Sequence, residues 1–166
     1  LQTYLEGRKD LFDGLKIMQL EKDWKQYPVI RLDMSRGGAN AETIRSYLDI
    51  RFGEYEELYG ITPKTTAMLA DRFDGIIKTA YKKTGLKVAI LVDEYDSPLQ
   101  HSWHTPEHEA CTEVYREVFA ILKADDEYEK IVFITGITKF TQISLFSVLN
   151  LSLIHISEPT RLRCIS

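Results

Sequence analysis

Apolar and polar positions along the chain fall into two alternating kinds of pattern. Three short runs read as strands: Pro28 to Met34, with Val29, Ile30 and Leu32 apolar and Asp33 near the end; Lys87 to Asp93; and Lys130 to Thr135, where Ile131 to Ile134 lead into Thr135 and Gly136. Between the first two runs the apolar period changes to three and four. Over Ala41 to Leu58, residues Ile44, Tyr47, Leu48, Phe52, Tyr55 and Leu58 lay a stripe along one side of a helix, and Leu69, Phe73, Ile76, Ile77 and Ala80 do the same over Thr65 to Lys83. Gly60, Thr62 and Pro63 break the chain between these helices. A third helix is predicted over Glu107 to Lys123, buried through Val114, Val118, Phe119 and Leu122. The acids Asp125, Asp126, Glu127 and Glu129 read as a solvated turn with no chemical role. Strands alternating with helices predict an α/β domain, a parallel sheet with helices on both sides.

The middle strand carries the chemistry. Val88 to Val92 are apolar without a break and run into Asp93 and Glu94. Such a run fits a strand buried on both faces, and open α/β sheets place their sites at the carboxyl ends of their strands. A Walker-B motif puts its chemistry there: in such a motif Asp93 would help to hold Mg²⁺ on a nucleotide, while Glu94 would orient and polarise the attacking water. The bland alternative is a pair of acids that end a strand and cap the next turn. Asp96 follows closely, and three acids in one tight segment repel one another unless a cation compensates, which makes Asp96 a second metal candidate. Thr135 ends the next strand with one donor and two lone pairs, suited to sensing a γ-phosphate or equally to capping a turn. Lys139 brings a positive charge nearby. Ser35, Arg36, Gly37 and Gly38 lack the Gly-Lys-Ser/Thr ending of a phosphate loop and read as a flexible connection, with Arg36 able to face the mouth of the site.

Composition bounds the rest. The 166 residues are one domain's worth, and 44% apolar content with nine Tyr and seven Phe supports a sizeable core. A formal charge of −4 argues weakly against a nucleic-acid-coating surface. With Cys111 and Cys164 as the only thiols there is neither a disulfide framework nor a Cys-x-x-Cys zinc pattern, so a reducing, cytoplasmic setting is expected. No apolar run is long enough to cross a bilayer. His101, His104 and His108 have helical metal-ligand spacing, but Pro106 interrupts them and no fourth ligand is placed; exposed loop histidines are expected, with Trp103 packing that loop. Cys111 reads as a small buried side chain, and Tyr95 as a ring that covers the site.

Several stretches together resemble the predicted AAA-ATPase-like proteins of gut and other anaerobic bacteria: Phe12 to Ile17, Tyr27 to Ile30 with Asp33, Asp93 to Asp96 with Pro98, Thr135 to Phe140, Ser144 to Ser147, and Leu149 with Asn150. The resemblance covers Tyr4 to Asn150. It implies a P-loop NTPase core of the additional-strand type, present in part, with ATP and Mg²⁺ as cofactors. It also implies a Walker-A segment just upstream of the residues resembling Gly7 to Ile17, and a C-terminal nuclease-like domain of the PD-(D/E)xK type through which a protein or nucleic-acid partner would be met. No Gly-x-x-x-x-Gly-Lys-Ser/Thr occurs in this chain. Since it opens at Leu1 inside a helix-like pattern, we expect the phosphate loop to have been cut away upstream. Leu151 to Arg161 resembles the translation of a transposon-end adapter used for sequencing libraries, so residues 151–166 are expected to be read-through and residues 1–150 the partial ATPase core.

The expected activity, in an intact parent, is ATP hydrolysis, with this fragment inactive by itself. Two rivals stay open on sequence grounds: a nucleotide-dependent switch or scaffold with little hydrolysis, and a metal-dependent nuclease using Asp33, Asp93, Glu94 and Asp96 as a two-metal cluster.

Overall fold

The computed structural model describes residues 1–62 and 67–136. In chain order its elements are α1 (Gln2–Leu5), α2 (Ile17–Leu20), β1 (Val29–Asp33), α3 (Ala41–Leu58), α4 (Leu69–Thr84), β2 (Val88–Asp93), α5 (Ser97–His101), α6 (His108–Phe119), α7 (Ile121–Ala124) and β3 (Glu129–Ile134). The strands form one parallel sheet in the order β1, β2, β3. Central β2 is the strand with the unbroken apolar run, and none of its residues from Val88 to Val92 is more than 7% exposed.

Alternation along the strands divides two cores. Ile30, Leu32, Val88, Ile90 and Val92 join the main core with α3, α4 and α6, and Val132 and Ile134 pack against it. On the other face, Ala89 and Leu91 meet Leu5, Tyr4, Tyr27 and Val29 from the segment before and at the start of β1. That second layer is held by a cluster in which the rings of Tyr4, Phe12 and Trp24 meet edge-on or tilted. It stops short of β3, where Ile131 and Phe133 are 38% and 37% exposed.

The predicted helices are present, with informative shifts. All five stripe residues of α4 are buried, and Phe73 stacks on Phe52 of α3 at 5.1 Å between centroids. In α3 the stripe runs Ile44, Leu48, Phe52, Glu56 at steps of four, which leaves Leu58 outside it and 67% exposed. The acid Glu56 takes the buried position because Arg72 of α4 reaches it with two hydrogen bonds of 2.8 and 2.7 Å. Asn40 and Thr43 form a capping box at the start of α3. Gly38 precedes it with φ +74°, and a Cβ there would stand 2.4 Å from Thr43 Oγ1. The third predicted helix divides into α6 and α7 at Ala120, with Val114, Val118, Phe119 and Leu122 all buried.

Within the acidic run Asp126 and Glu127 are exposed, as a solvated turn predicts, but Asp125 and Glu129 depart from that expectation. Asp125 is 2% exposed and lies 3.3 Å from Lys78 Nζ, because the turn tucks against α4. Burial first, then the charges of Asp125 and Asp126, push the Glu129 carboxyl up to about 8.

The two edges of the sheet differ. Along β1, the hydroxyls of Tyr55 and Tyr47 accept the N–H groups of Arg31 and Asp33 at 2.7 and 2.8 Å, and Arg51 donates to the Arg31 carbonyl at 3.3 Å. Side chains of α3 therefore close that edge against further strands. The outer edge of β3 has no strand beside it among the described residues. No helix among them is long and apolar enough to cross a membrane.

Candidate functional site at the carboxyl edge of the sheet

Parallel pairing puts the strand ends at one edge, where Asp33 lies opposite Asp93. Thr135 extends the ladder one step beyond β3, its N–H donating to the Val92 carbonyl at 2.8 Å. Period-two alternation then places Asp33 and Asp93 on the face opposite α3, α4 and α6.

Asp93 is held at both oxygens. The Thr135 hydroxyl donates a short hydrogen bond to Oδ1, and Arg31 Nη2 lies 3.3 Å from Oδ2. The Thr135 hydrogen bond is the main reason that its carboxyl sits below the usual carboxylate range, and Arg31 adds to it against an opposing contribution from burial. Asp93 and Arg31 remain 45% and 46% exposed, so the site is open. Thr135 also reaches the next two residues: its Oγ1 accepts from the Glu94 N–H at 3.3 Å and its carbonyl accepts from the Tyr95 N–H at 3.0 Å. One residue of β3's extension thus fixes the whole turn after β2.

That turn divides its acids. Glu94 has φ +47°, a left-handed conformation that a non-glycine residue adopts at a cost, and its side chain is exposed. Tyr95 and Asp96 point inward, at 4% and 1% exposure. Asp96 Oδ2 accepts from Gln100 Nε2 at 2.6 Å. Gly136 packs directly on both: a Cβ there would stand 2.5 Å from the Tyr95 ring and 2.6 Å from Asp96 Oδ1. Tyr95 is therefore a packing ring below the turn rather than a cover over the site.

Asp93, Glu94 and Thr135 are brought together, whereas Asp96 sits beneath them and Lys139 lies outside the described residues. Asp33 accepts from the N–H and hydroxyl of Ser35 at 3.3 and 2.6 Å, capping the turn Met34–Gly37. Arg36 is exposed on that turn, which packs against α5 where Gly37 meets Pro98. No three His, Cys, Asp or Glu side chains among the described residues form a group able to hold a metal ion, so Asp33, Asp93, Glu94 and Asp96 do not gather as a two-metal cluster, nor do His101, His104 and His108 as a zinc site. His101 and His104 are exposed, while the rings of His104 and His108 meet Trp103 edge-on. Cys111 is fully buried.

One open carboxylate beside a hydroxyl matches a small, hard cation that keeps most of its waters and takes further oxygens from phosphates, as Mg²⁺ does. It does not match a cation that needs a full protein cage. A cavity of about 170 Å³ lined by Tyr4, Glu21, Trp24, Tyr27 and Lys130 lies toward the amino end of the sheet, away from Asp93. It is smaller than the few hundred Å³ usual for a ligand pocket.

Arg31 was not legible as a site residue from its strand pattern alone, although its signal existed. It is a charged residue two positions before Asp33 in an otherwise apolar strand, and so it shares that residue's face.

The chain resembles an uncharacterized protein from the vnfD 5′ region of Azotobacter chroococcum mcd 1, with 30% identity over 158 residues. The match covers 90% of this chain and 29% of that protein, so the chain spans under a third of its relative's length. No solved structure matches it. Residues 1–146 match the family described as predicted AAA-ATPase, and with the three-stranded parallel sheet in place the chain belongs to this AAA-ATPase-like family.

Proposed function

We propose that the chain is the part of an ATP-hydrolysing core that supplies the metal-positioning acid, the water-activating acid and the γ-phosphate sensor. The observation that carries this reading is the clamp of Thr135 on Asp93 and Glu94 across two neighbouring parallel strands. It ties the sensor residue to both acids with no flexible linker between them. Asp93 presents an ionised, partly open carboxylate to Mg²⁺, and Glu94, exposed on a strained turn, takes the proton of the attacking water. When bound, Mg²⁺ offsets charge on the transferring phosphoryl group. Asp96, buried against Gly136 and Gln100, holds the turn in shape instead of contacting the metal. Lys139, outside the described residues, is assigned the role of an added positive charge for nucleotide binding.

Among the described residues the sheet has room for a strand bearing a phosphate loop beside β3 and not beside β1. The edge of β1 is closed by Tyr47, Arg51 and Tyr55, whereas β3 has no strand beside it among the described residues and carries exposed Ile131 and Phe133, which supports a Walker-A strand lying against β3. ATP turnover by a longer protein that includes such a segment tests the proposal. Glu94→Gln should lower kcat by about 10²- to 10⁴-fold with nucleotide binding kept. An unchanged kcat would remove Glu94 from the reaction. Tight ATP binding with no turnover in the unsubstituted protein would favour a nucleotide-dependent switch.

A further inference from the structure

Both carboxylate oxygens of Asp93 are engaged: Thr135 occupies Oδ1 and Arg31 occupies Oδ2. The two partners differ in how firmly they are fixed. Thr135 is tied through its backbone on both sides, N–H to Val92 and carbonyl to Tyr95, which keeps its short side chain beside Asp93. Arg31 sits lower on β1, in register with Leu91, and reaches Asp93 with a long side chain that is 46% exposed over the open face of the sheet. An ion pair at 3.3 Å ties it to Asp93, and exposed pairs of this kind are weak. From this asymmetry we infer that Arg31 is a displaceable counter-ion: it neutralises Asp93 Oδ2 before a divalent cation arrives and gives that oxygen up when the cation is seated. The inference rests on the proposed role of Asp93 as the metal-positioning acid.

The arrangement has two consequences. Asp93, with Asp33 opposite and Glu94 adjacent, is kept from repelling its neighbours in the absence of metal. Cation entry also competes with an internal charge, which weakens adventitious metal binding and releases a guanidinium beside the mouth of the site. Arg31 is in this sense a positioning residue acting through Asp93.

The test uses the 166-residue chain and Mn²⁺ alone, with bound and free Mn²⁺ separated by electron paramagnetic resonance. Arg31→Gln should tighten Mn²⁺ binding by about two- to fivefold, the range expected on removing an exposed ion pair. Arg31→Lys should restore affinity near that of the unsubstituted chain, and Asp93→Asn should abolish binding in every background. If Asp93→Asn abolishes binding but Arg31→Gln leaves it unchanged or weaker, the counter-ion role is overturned while Asp93 keeps its place. If Asp93→Asn leaves binding unchanged, both readings fall. A second measurement needs no substitution at Arg31: on addition of Mg²⁺, the Arg31 guanidinium Nη–H resonances should move toward those of a free arginine. Resonances that stay in place while Mg²⁺ occupies an Asp93-dependent site would overturn the inference.

Discussion

Thr135 touches three consecutive residues of the turn after β2, so its removal should be felt at the acid before it is felt in the fold. Thr135→Val keeps the shape and deletes the donor. The Asp93 carboxyl should then titrate at higher pH, which a side-chain ¹³C titration would register. Because the folded carboxyl is held low, its stabilising contribution is present above the unfolded value of about 4 and is lost as pH falls through the lowered folded value. Partial exposure keeps that contribution small. Glu129 has the opposite sign. Its carboxyl is raised to about 8, so the folded state binds the proton more tightly, and stability falls as pH rises from about 4.3 through 8. Glu129→Gln should therefore stabilise the chain by about 1–2 kcal/mol at pH 9, after discounting for partial exposure, and change little near pH 4. Denaturant melts at the two pH values check this; equal effects at both would show that Glu129 ionises normally.

The packing of α3 on α4 contains a buried acid in place of an apolar side chain. Glu56 and Arg72 are 3% and 11% exposed in their side chains, and Arg72→Ala would leave a carboxylate without its counter-charge. We expect a loss of about 3–5 kcal/mol in denaturant melts. A loss under about 1 kcal/mol would mean that the acid reaches water. Tyr47→Phe and Tyr55→Phe should each cost about 1 kcal/mol by exposing an unpaired β1 amide, and native-state hydrogen exchange at Asp33 and Arg31 should quicken accordingly. The apolar faces of α4 and α6 were legible in the sequence because Phe73, Ile77, Val114 and Val118 recur at helical spacing. What escaped were polar side chains with distant partners. Glu56 looks solvent-facing until Arg72 is placed opposite, and Asp125 looks solvated until α4 and its Lys78 lie against it. Periodicity reports which side of an element is apolar, whereas these pairs depend on which helix lies across it. At the candidate site, Asp93, Glu94 and Thr135 were readable from strand ends, but Arg31 required the register of β1 on β2 to bring it to Asp93.

Across the whole molecule the described sheet is asymmetric, sealed along β1 by α3 and with no strand beside β3 among the described residues. A longer protein with a strand docked on β3 should bury Phe133, which is 37% exposed in this chain. A thiol introduced by Phe133→Cys should react readily with a maleimide in this chain and at least tenfold more slowly in the longer protein; equal rates would place any added strand elsewhere. The covered amino end and the open carboxyl edge likewise separate two candidate binding regions, the small Tyr4–Trp24 cavity and the Asp93 turn. Paramagnetic broadening by Mn²⁺–ATP in the nucleotide-binding longer protein distinguishes them most directly. The account predicts that the amide signals of Asp93, Glu94 and Thr135 broaden first, while those of Glu21, Trp24 and Lys130 stay sharp. Broadening centred on Glu21, Trp24 and Lys130, with the Asp93 turn untouched, would contradict it.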